Sequence, residues 1–206
     1  MTTAKETART RLLGARRAMP AGEREAADTA TWNALRDFLN EVLDDGATVA
    51  AYRPFGTEPG ATLRPELPER LAERYTVLLP ITSPDNDLDW TELGSEAPHA
   101  VSSTMPGSGV ALTGPRGTET VAPARGVGAI GRAGVVVVPG LAVSHEGTRL
   151  GRGGGCYDRA LARTAPHAPV VALLRDGEFG LDVPAEHHDR PVTGVITPTR
   201  GHTAVR

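Results

Sequence analysis

The strongest constraint on the fold is a glycine-rich segment that lies between an apolar run and a helical pattern. It spans Arg149 to Asp158, RLGRGGGCYD, and holds four glycines between positions 151 and 155. Val135 to Val138 precede it and predict a buried strand, whereas Tyr157 to Arg163 have helical spacing. A strand, a glycine-rich turn and a helix direct backbone N–H groups and a helix N-terminus towards an anion. The segment therefore predicts an α/β unit with a phosphate as one candidate ligand.

The side chains around these glycines suit a phosphate. Arg149 and Arg152 can neutralise phosphate oxygens, and Asp158 is a hard oxygen ligand of the kind that Mg²⁺ uses beside a nucleotide. The segment is neither a Walker A loop nor a complete dinucleotide-binding fingerprint. From this pattern alone, a phosphate loop and a flexible surface loop both remain open.

Length and composition narrow the class of protein. A chain of 206 residues predicts one domain over 1–206, with an N-terminal helical segment over about 1–45. The net charge of −3 gives no basic field for nucleic acid. No apolar run is long enough to span a membrane, and the first residues lack the apolar core of a signal peptide. Cys156 is the only cysteine, so no internal disulfide forms. We therefore expect a cytoplasmic protein.

Lys5 is the only lysine among 22 basic residues. In a chain that otherwise uses arginine, this choice indicates a position where a compact point charge is needed. Lys5 and Arg9 lie one turn apart on the same face of a predicted helix from Ala4 to Met19. A bound polyphosphate would relieve their mutual repulsion. A basic, solvated helix face is the alternative interpretation.

Helical and strand patterns alternate along the rest of the chain. Further helices are predicted over Glu23 to Leu43, Arg64 to Glu73 and near Ala129. Strands are predicted over Thr48 to Tyr52, Thr76 to Leu79, Leu88 to Trp90, Val110 to Leu112, Val135 to Val138, Pro169 to Leu174 and Val192 to Thr197. This order favours an α/β fold, a three-layer αβα sandwich with a mostly parallel or mixed central sheet and N-terminal helices.

Other chemistry-bearing residues are less specific. Glu58 follows the first predicted strand, and ligands of open α/β sheets lie outside the carboxyl ends of strands, although an exposed loop acid is the commoner case. His187, His188 and Asp189 could form a metal cluster by composition, but adjacent side chains point in different directions, which disfavours zinc. Asp189 is a better candidate for a second Mg²⁺ carboxylate. Cys156 has no predicted base and is interpreted as a small loop residue.

Several motifs occur together and in order along the chain. They are Lys5-x-x-x-Arg9, Tyr52-x-Pro54-x-x-x-Glu58, Trp90, Pro139-Gly140-Leu141-Ala142, Arg149-Leu-Gly-Arg-Gly-Gly-Gly-x-Tyr-Asp158 and Pro184-x-x-x-His188-Asp189. In this combination the chain resembles the 5-formyltetrahydrofolate cyclo-ligases, also called methenyltetrahydrofolate synthetases. The resemblance covers nearly the whole chain, and the glycine-rich motif is its most specific part.

The resemblance implies an ATP- and Mg²⁺-dependent closure of 5-formyltetrahydrofolate to 5,10-methenyltetrahydrofolate, with ATP and Mg²⁺ as cofactors and a reduced folate as substrate. It implies catalytic roles for Lys5 and Arg152, metal binding by Asp158 and Asp189, and a monomer without nucleic-acid or membrane partners. The implied ATP site comprises Lys5, Arg9, Arg149, Gly151, Arg152, Gly153, Gly154, Gly155 and Tyr157. The implied folate site comprises Arg53, Glu58, Arg152, Gly153, Gly154, Gly155 and Cys156.

The chain departs from the family pattern at three places. Cys156 stands where the family usually has an aromatic residue, Gly114-Pro115 stands where it has Glu-Pro, and no glutamine precedes Pro184. Three alternatives follow: a non-catalytic nucleotide- or folate-binding protein, an ATP-dependent enzyme of the same fold with another substrate, and a sugar-phosphate isomerase-like enzyme on a related sheet.

Overall fold

The computed structural model describes residues 3–94, 123–186 and 189–205. The predicted strand from Val110 to Leu112, the Gly114-Pro115 pair, His187 and His188 lie outside the described residues. No helix in the described ranges is long and apolar enough to cross a membrane.

Four α-helices and one 3-10 helix occur in the described ranges. They are α1 (Ala4–Ala18), α2 (Ala21–Val42), α3 (Leu67–Ala72), the 3-10 helix Val127–Arg132 and α4 (Cys156–Leu161). Thr3 begins α1 with a capping box, in which its hydroxyl accepts from the Glu6 N–H at 3.2 Å and the Glu6 carboxylate accepts from the Thr3 N–H at 2.7 Å. Both N-terminal helices are confirmed to within two residues.

In the described ranges, nine strands form two sheets. They are β1 (Thr48–Ala50), β2 (Thr76–Thr82), β3 (Leu88–Glu92), β4 (Val135–Pro139), β5 (Ala142–Val143), β6 (Arg149–Leu150), β7 (Val170–Leu173), β8 (Gly194–Thr197) and β9 (Gly201–Ala204). The main sheet has the order β3-β2-β1-β4-β7-β8-β9. Its five inner strands are parallel, and β3 and β9 are antiparallel edges. β5 and β6 form a separate hairpin. The mixed sheet confirms the predicted α/β class.

Both faces of the main sheet are covered. The β4 valines alternate between the faces: Val135 and Val137 pack with α2 and α3, and Val136 and Val138 pack with the 3-10 helix and α4. All four are at most 1% exposed, which explains why the strand is continuously apolar. The three layers are therefore helix, sheet and helix, as predicted.

The first helix has a different role, because it packs on the small hairpin instead of on a face of the main sheet. Leu12 of α1 lies in a third apolar cluster with Leu141, Ala142, Leu150 and Val183. Leu141 follows β4, Ala142 and Leu150 belong to the hairpin, and Val183 lies in the segment after β7. The first helix therefore lies over the carboxyl ends of the parallel strands. The basic face of α1 is thereby brought to the edge where ligands of open α/β sheets bind.

Several local expectations need correction. Strand β9 was not predicted. The helical spacing of the second predicted helix would place Val42 on its buried side, but Val42 is the last residue of α2 and is 43% exposed. The helix after the glycines begins at Cys156 and ends at Leu161, so Cys156 is a first-turn helical residue and not a loop residue. The predicted helix from Arg64 begins only at Leu67, with Pro68 in its first turn, where the missing N–H is tolerated.

Candidate active site

A cavity of about 950 Å³ lies over the carboxyl ends of β1, β2 and β4. The chain runs outward from β1 to β2 on one side and from β4 to β7 and β8 on the other, so β1 and β4 flank the switch point of the sheet. Ligand sites of open α/β sheets occur at such a point. The cavity is lined by every residue that the sequence predicted for the site: Lys5, Arg9, Arg53, Glu58, Arg149, Gly151, Arg152, Gly153, Gly154, Gly155, Cys156, Tyr157, Asp158 and Asp189.

The glycine-rich loop joins the β5–β6 hairpin to α4. Gly153 has φ +112° and Gly155 has φ +63°, conformations that residues with a side chain rarely adopt. The carbonyl of Gly151 accepts a 2.9 Å hydrogen bond from Arg9 Nε, and a side chain at Gly153 would come within 3.4 Å of the Arg9 guanidinium. The loop and α1 are therefore held against each other at the cavity wall.

Arg149 is the buried cation of the loop. Its side chain is 5% exposed, and its Nη2 lies 3.3 Å from Asp158 Oδ1. Its Nη1 donates to the carbonyl of Pro139 at 3.2 Å, and its guanidinium lies 5.5 Å from the ring centre of Tyr157. The Arg149 Nε is buried and has no hydrogen-bond partner in the described part of the chain. A donor left unsatisfied beside a cavity is a feature of a ligand site.

Lys5 lies between two carboxylates at the cavity. Its Nζ is 2.9 Å from Glu186 Oε1 and 3.2 Å from Asp189 Oδ2. Burial by itself would lower the pKa of Lys5, but the hydrogen bonds to Glu186 and Asp189 outweigh it and raise the pKa. The ammonium is therefore charged at neutral pH, and the carboxylates of Glu186 and Asp189 stabilise its positive charge.

The two predicted metal ligands come from distant parts of the chain and lie close together. Asp158 Oδ1 accepts from the main-chain N–H of Arg190 at 3.3 Å, and Arg190 follows Asp189 directly. Within the described ranges, no group of three or more His, Cys, Asp or Glu side chains is arranged to hold a metal ion. Two carboxylates beside a cationic loop nevertheless fit Mg²⁺, which commonly binds one or two carboxylates plus substrate phosphates.

Glu58 is the buried acid of the cavity. It is 5% exposed, its Oε2 accepts from the Phe55 N–H at 3.1 Å, and its Oε1 lies 3.1 Å from Arg152 Nη2. Burial raises the pKa of Glu58, and the Phe55 N–H and the Arg152 charge only partly oppose this effect. The Arg152 guanidinium lies 4.8 Å from the ring centre of the half-exposed Phe55. Arg152 thus connects the glycine loop to the Glu58 loop.

Arg53 lines the cavity, but its guanidinium is engaged elsewhere. It pairs with Glu66, and its Nη2 lies 2.6 Å from Glu69 Oε1 on α3. Cys156 is half-buried, and its Sγ lies 3.6 Å from the carbonyl of Gly154. Both residues are within reach of a ligand, and their contacts in the structure are to the protein itself.

Arg16 is a cavity residue that the sequence reasoning missed. It lies eleven positions after Lys5, about three helical turns, and so on the same face of α1. That spacing was the available signal. Its guanidinium is buried against Glu178 at 2.6–2.7 Å and donates to the carbonyl of Gly140 at 2.6 Å. Tyr52, Phe55 and Glu186 also line the cavity and were not predicted as site residues.

Fold and cavity together place the chain among open α/β proteins with a ligand site at the switch point of the sheet. The model of the 5-formyltetrahydrofolate cyclo-ligase family matches residues 1–198, and the chain belongs to this family. A 5-formyltetrahydrofolate cyclo-ligase of Mycolicibacterium smegmatis is 40% identical over 98% of this chain and 97% of its own. A protein of the same name from Mus musculus is 35% identical over 30% of this chain and 32% of its own.

Solved structures confirm the fold. A 5,10-methenyltetrahydrofolate synthetase from Mycoplasma pneumoniae superposes with a TM-score of 0.71 at 18% identity, covering 95% of this chain and 99% of that one. The synthetase of Aquifex aeolicus gives a TM-score of 0.70 at 22% identity, covering 99% and 94% of the two chains. At such low identities, the likeness supports the architecture and not the roles of individual residues.

Proposed function

We propose that the protein catalyses the ATP- and Mg²⁺-dependent cyclisation of 5-formyltetrahydrofolate to 5,10-methenyltetrahydrofolate, with release of ADP and phosphate. The observation that carries the proposal is the single cavity in which a cationic glycine loop, two neighbouring carboxylates and a buried glutamate meet. Membership of the cyclo-ligase family supports the same reaction.

The chemistry requires two reactants to be held together. The formyl oxygen attacks the γ-phosphorus of ATP and ADP leaves. N10 then attacks the activated formyl carbon and releases its proton to solvent, and the phosphate departs with the former formyl oxygen. An amide-like oxygen is a poor leaving group until it carries phosphate. The protein contributes mainly by positioning and by stabilising negative charge on the transferred group. This reaction requires no side-chain nucleophile, and no such role is assigned to Cys156.

The phosphates of ATP would meet the cations of the cavity. Lys5 and Arg9 would bind them from α1, and Arg149, with its unpartnered Nε, would bind them from the loop. The positive φ of Gly153 and Gly155 allows their N–H groups to approach an anion closely. Tyr157 would contact the nucleotide. Mg²⁺, when bound by Asp158 and Asp189, would supply positive charge to the phosphate oxygens.

The folate would occupy the side of the cavity formed by Glu58 and Arg152. A buried carboxylate is a strong acceptor for the N–H groups of a pterin ring. Arg152 reaches both Glu58 and the loop, so we assign it the charge that develops between the formyl oxygen and the γ-phosphate. Arg53, Cys156 and the loop residues Gly153, Gly154 and Gly155 would complete this side.

The test is an absorbance assay for the methenyl product with 5-formyltetrahydrofolate, ATP and Mg²⁺. Product that requires all three components is the expected result. ATP and folate binding without product would instead support the non-catalytic binding protein. ATP hydrolysis or transfer with a different acceptor would support a divergent enzyme of the same fold, and activity without ATP would overturn the proposal.

We also propose that the chain acts as a single domain and a monomer in the cytoplasm, where ATP and reduced folates are soluble reactants. The residues assigned to ATP, folate and Mg²⁺ all line one cavity of this chain. Sedimentation of the purified protein at one monomer mass, with and without ATP, is the expected result. A stable dimer would contradict the monomer assignment.

A further inference from the structure

The hydroxyl of Tyr52 is an unsatisfied polar group at the cavity. Tyr52 follows β1 at the switch point, and the residue is 4% exposed. Its ring belongs to the apolar cluster beneath α2 and α3. Its hydroxyl is buried and has no hydrogen-bond partner among the residues that the structure describes, although the residue lines the cavity. An unpaired buried hydroxyl is unfavourable, so a ligand is a candidate for the partner that the described residues do not provide.

The surroundings of this hydroxyl determine what it can bind. Burial raises the pKa of Tyr52 well above its usual value, and the nearby charge of Glu58 raises it further. The hydroxyl therefore keeps its proton and is available as a donor. Glu58 lies in the same segment after β1, lines the same cavity and, as a carboxylate, is an acceptor. The residues that line the cavity therefore include a donor and an acceptor from one segment.

A ligand edge with an acceptor next to a donor complements this pair. A cyclic amide has such an edge, because its ring carbonyl accepts and its adjacent ring N–H donates. The pterin of a reduced folate carries this group. Glu58 has room for the N–H even while it pairs with Arg152, since a carboxylate offers about four acceptor positions.

We propose that Tyr52 is a specificity-determining residue, whose hydroxyl donates to the ring carbonyl of the pterin while Glu58 accepts from the adjacent N–H. This assignment rests on the proposed folate substrate and adds to it a residue that recognises the carbonyl substituent of the pyrimidine ring. A ligand with an amino group in place of the carbonyl offers a donor to a donor, so the site would discriminate against it.

The first experiment compares Tyr52→Phe with the unmodified protein. Loss of one neutral hydrogen bond weakens binding by about 3- to 10-fold, so the dissociation constant and KM for 5-formyltetrahydrofolate should rise by that factor. The KM for ATP and kcat should stay within about twofold. The melting temperature should stay equal or rise, because the variant removes an unpaired group. A purely structural hydroxyl would instead lower stability and leave the folate constant unchanged.

Tyr75→Phe is the matched control. Tyr75 is also buried, but its hydroxyl lies 3.4 Å from Asn40 Oδ1 and does not line the cavity. This variant should leave both KM values unchanged. A rise in the folate constant equal to that of Tyr52→Phe would overturn the assignment.

The second experiment identifies the ligand atom. Calorimetry measures binding of 5-formyltetrahydrofolate and of its analogue with an amino group in place of the ring carbonyl, both without ATP. Tyr52→Phe should weaken the carbonyl ligand about 3- to 10-fold and leave the amino ligand unchanged or tighter. Equal loss for both ligands would overturn the assignment. Because this experiment measures binding, folate binding without turnover would contradict only the proposed reaction. If the protein bound no reduced folate, both the proposed reaction and the role of Tyr52 would be contradicted.

Discussion

At the scale of single residues, the site depends on charges that are held close to one another before any ligand binds. Lys5 is paired with Glu186 and Asp189, and Arg152 is paired with Glu58. In the first group, Lys5 is proposed to bind ATP and Asp189 to bind Mg²⁺. In the second, Glu58 is proposed to bind the folate, and Arg152 to contact both the folate and the γ-phosphate of ATP. Substitution of a single member therefore tests a role only if ATP and folate are measured separately.

Replacement of Lys5 by alanine should mainly impair the use of ATP. Loss of a charged hydrogen bond costs about 1.5–3 kcal/mol, which predicts a rise in the KM for ATP of roughly 10- to 100-fold. The KM for folate should change by less than about threefold. Steady-state kinetics at varied ATP and fixed folate gives the comparison. Arg11→Ala, an exposed basic position on the same helix, is the control and should change neither constant. Unchanged ATP kinetics in Lys5→Ala would identify Lys5 as a solvated surface charge.

Replacement of Glu58 by glutamine should separate stability from function. Since the pKa of Glu58 is raised above its usual value of 4.5, its ionised form costs folding free energy at neutral pH. That cost is absent below pH 4.5, where the group is neutral in both states, and it grows as pH rises through the folded pKa. Glu58→Gln should therefore melt higher than the unmodified protein at pH 7 and nearly equal to it at pH 4, while its folate affinity falls at least about tenfold. The measurement is the difference in melting temperature between Glu58→Gln and the unmodified protein. A difference that is less favourable to the variant at pH 7 than at pH 4 would contradict the expectation.

At the scale of elements, a buried network fixes the loop that carries Glu58. Arg175, just after β7, pairs with Asp28 of α2 at 2.6 Å and donates to the carbonyl of Glu58 at 3.2 Å. Asp28 also accepts from the N–H groups of Gly60 and Thr62 at 2.8 and 2.9 Å. One helix and one strand end therefore hold the backbone of Glu58 and of the residues just after it, which explains how an acid on a loop keeps a defined position.

Asp28→Ala should accordingly damage both the fold and folate binding. Removal of one member of a buried pair costs about 3–5 kcal/mol, because Arg175 is left without its counter-ion. In a chain of this size the melting temperature should fall by roughly 6–20 °C. At temperatures where the variant remains folded, the KM for folate should rise more than the KM for ATP. Asp37→Ala, exposed on the same helix and paired with its neighbour Arg36, should change stability by less than about 0.5 kcal/mol.

At the scale of the whole molecule, the cavity joins parts of the chain that are far apart in sequence. Lys5 and Asp189 are separated by 184 residues and lie 3.2 Å apart. Ligands that contact α1, the glycine loop and the Asp189 segment together would bind the folded state alone. Their binding should therefore stabilise the entire fold by mass action.

ATP with Mg²⁺ should raise the melting temperature. At about 100 times the dissociation constant the stabilisation is about 2.7 kcal/mol, which corresponds to roughly 5–11 °C in a chain of this size. Scanning fluorimetry with ATP and Mg²⁺, and with ATP and a chelator, separates the rise in melting temperature that depends on the metal. Asp158→Asn should lose most of this metal-dependent rise. Asp182→Asn, which is exposed and does not line the cavity, should retain it. An equal shift with and without Mg²⁺ would contradict the proposed metal site.

Much of this architecture follows from local patterns in the sequence. The alternation of strand and helix signals predicted the α/β class, and the β4 valines were correctly interpreted as a buried strand. The capping box, the glycines with positive φ and the face shared by Lys5 and Arg9 are also local. Arg16 lies on that face too, and the same helical spacing applied a little further would have identified it.

The rest depends on contacts that no local pattern encodes. Asp158 and Asp189 lie in separate segments of the sequence. Only the folded structure brings these segments together, so that the main-chain N–H of Arg190, next to Asp189, lies 3.3 Å from Asp158 Oδ1. Tyr52 belongs to a recognisable motif, but only the folded structure shows that its buried hydroxyl has no hydrogen-bond partner among the described residues. Periodicity and turn chemistry act over a few residues and so determine the elements and their order. The pairing of charges and the shape of the cavity arise from long-range packing, and they are decided only in the folded molecule.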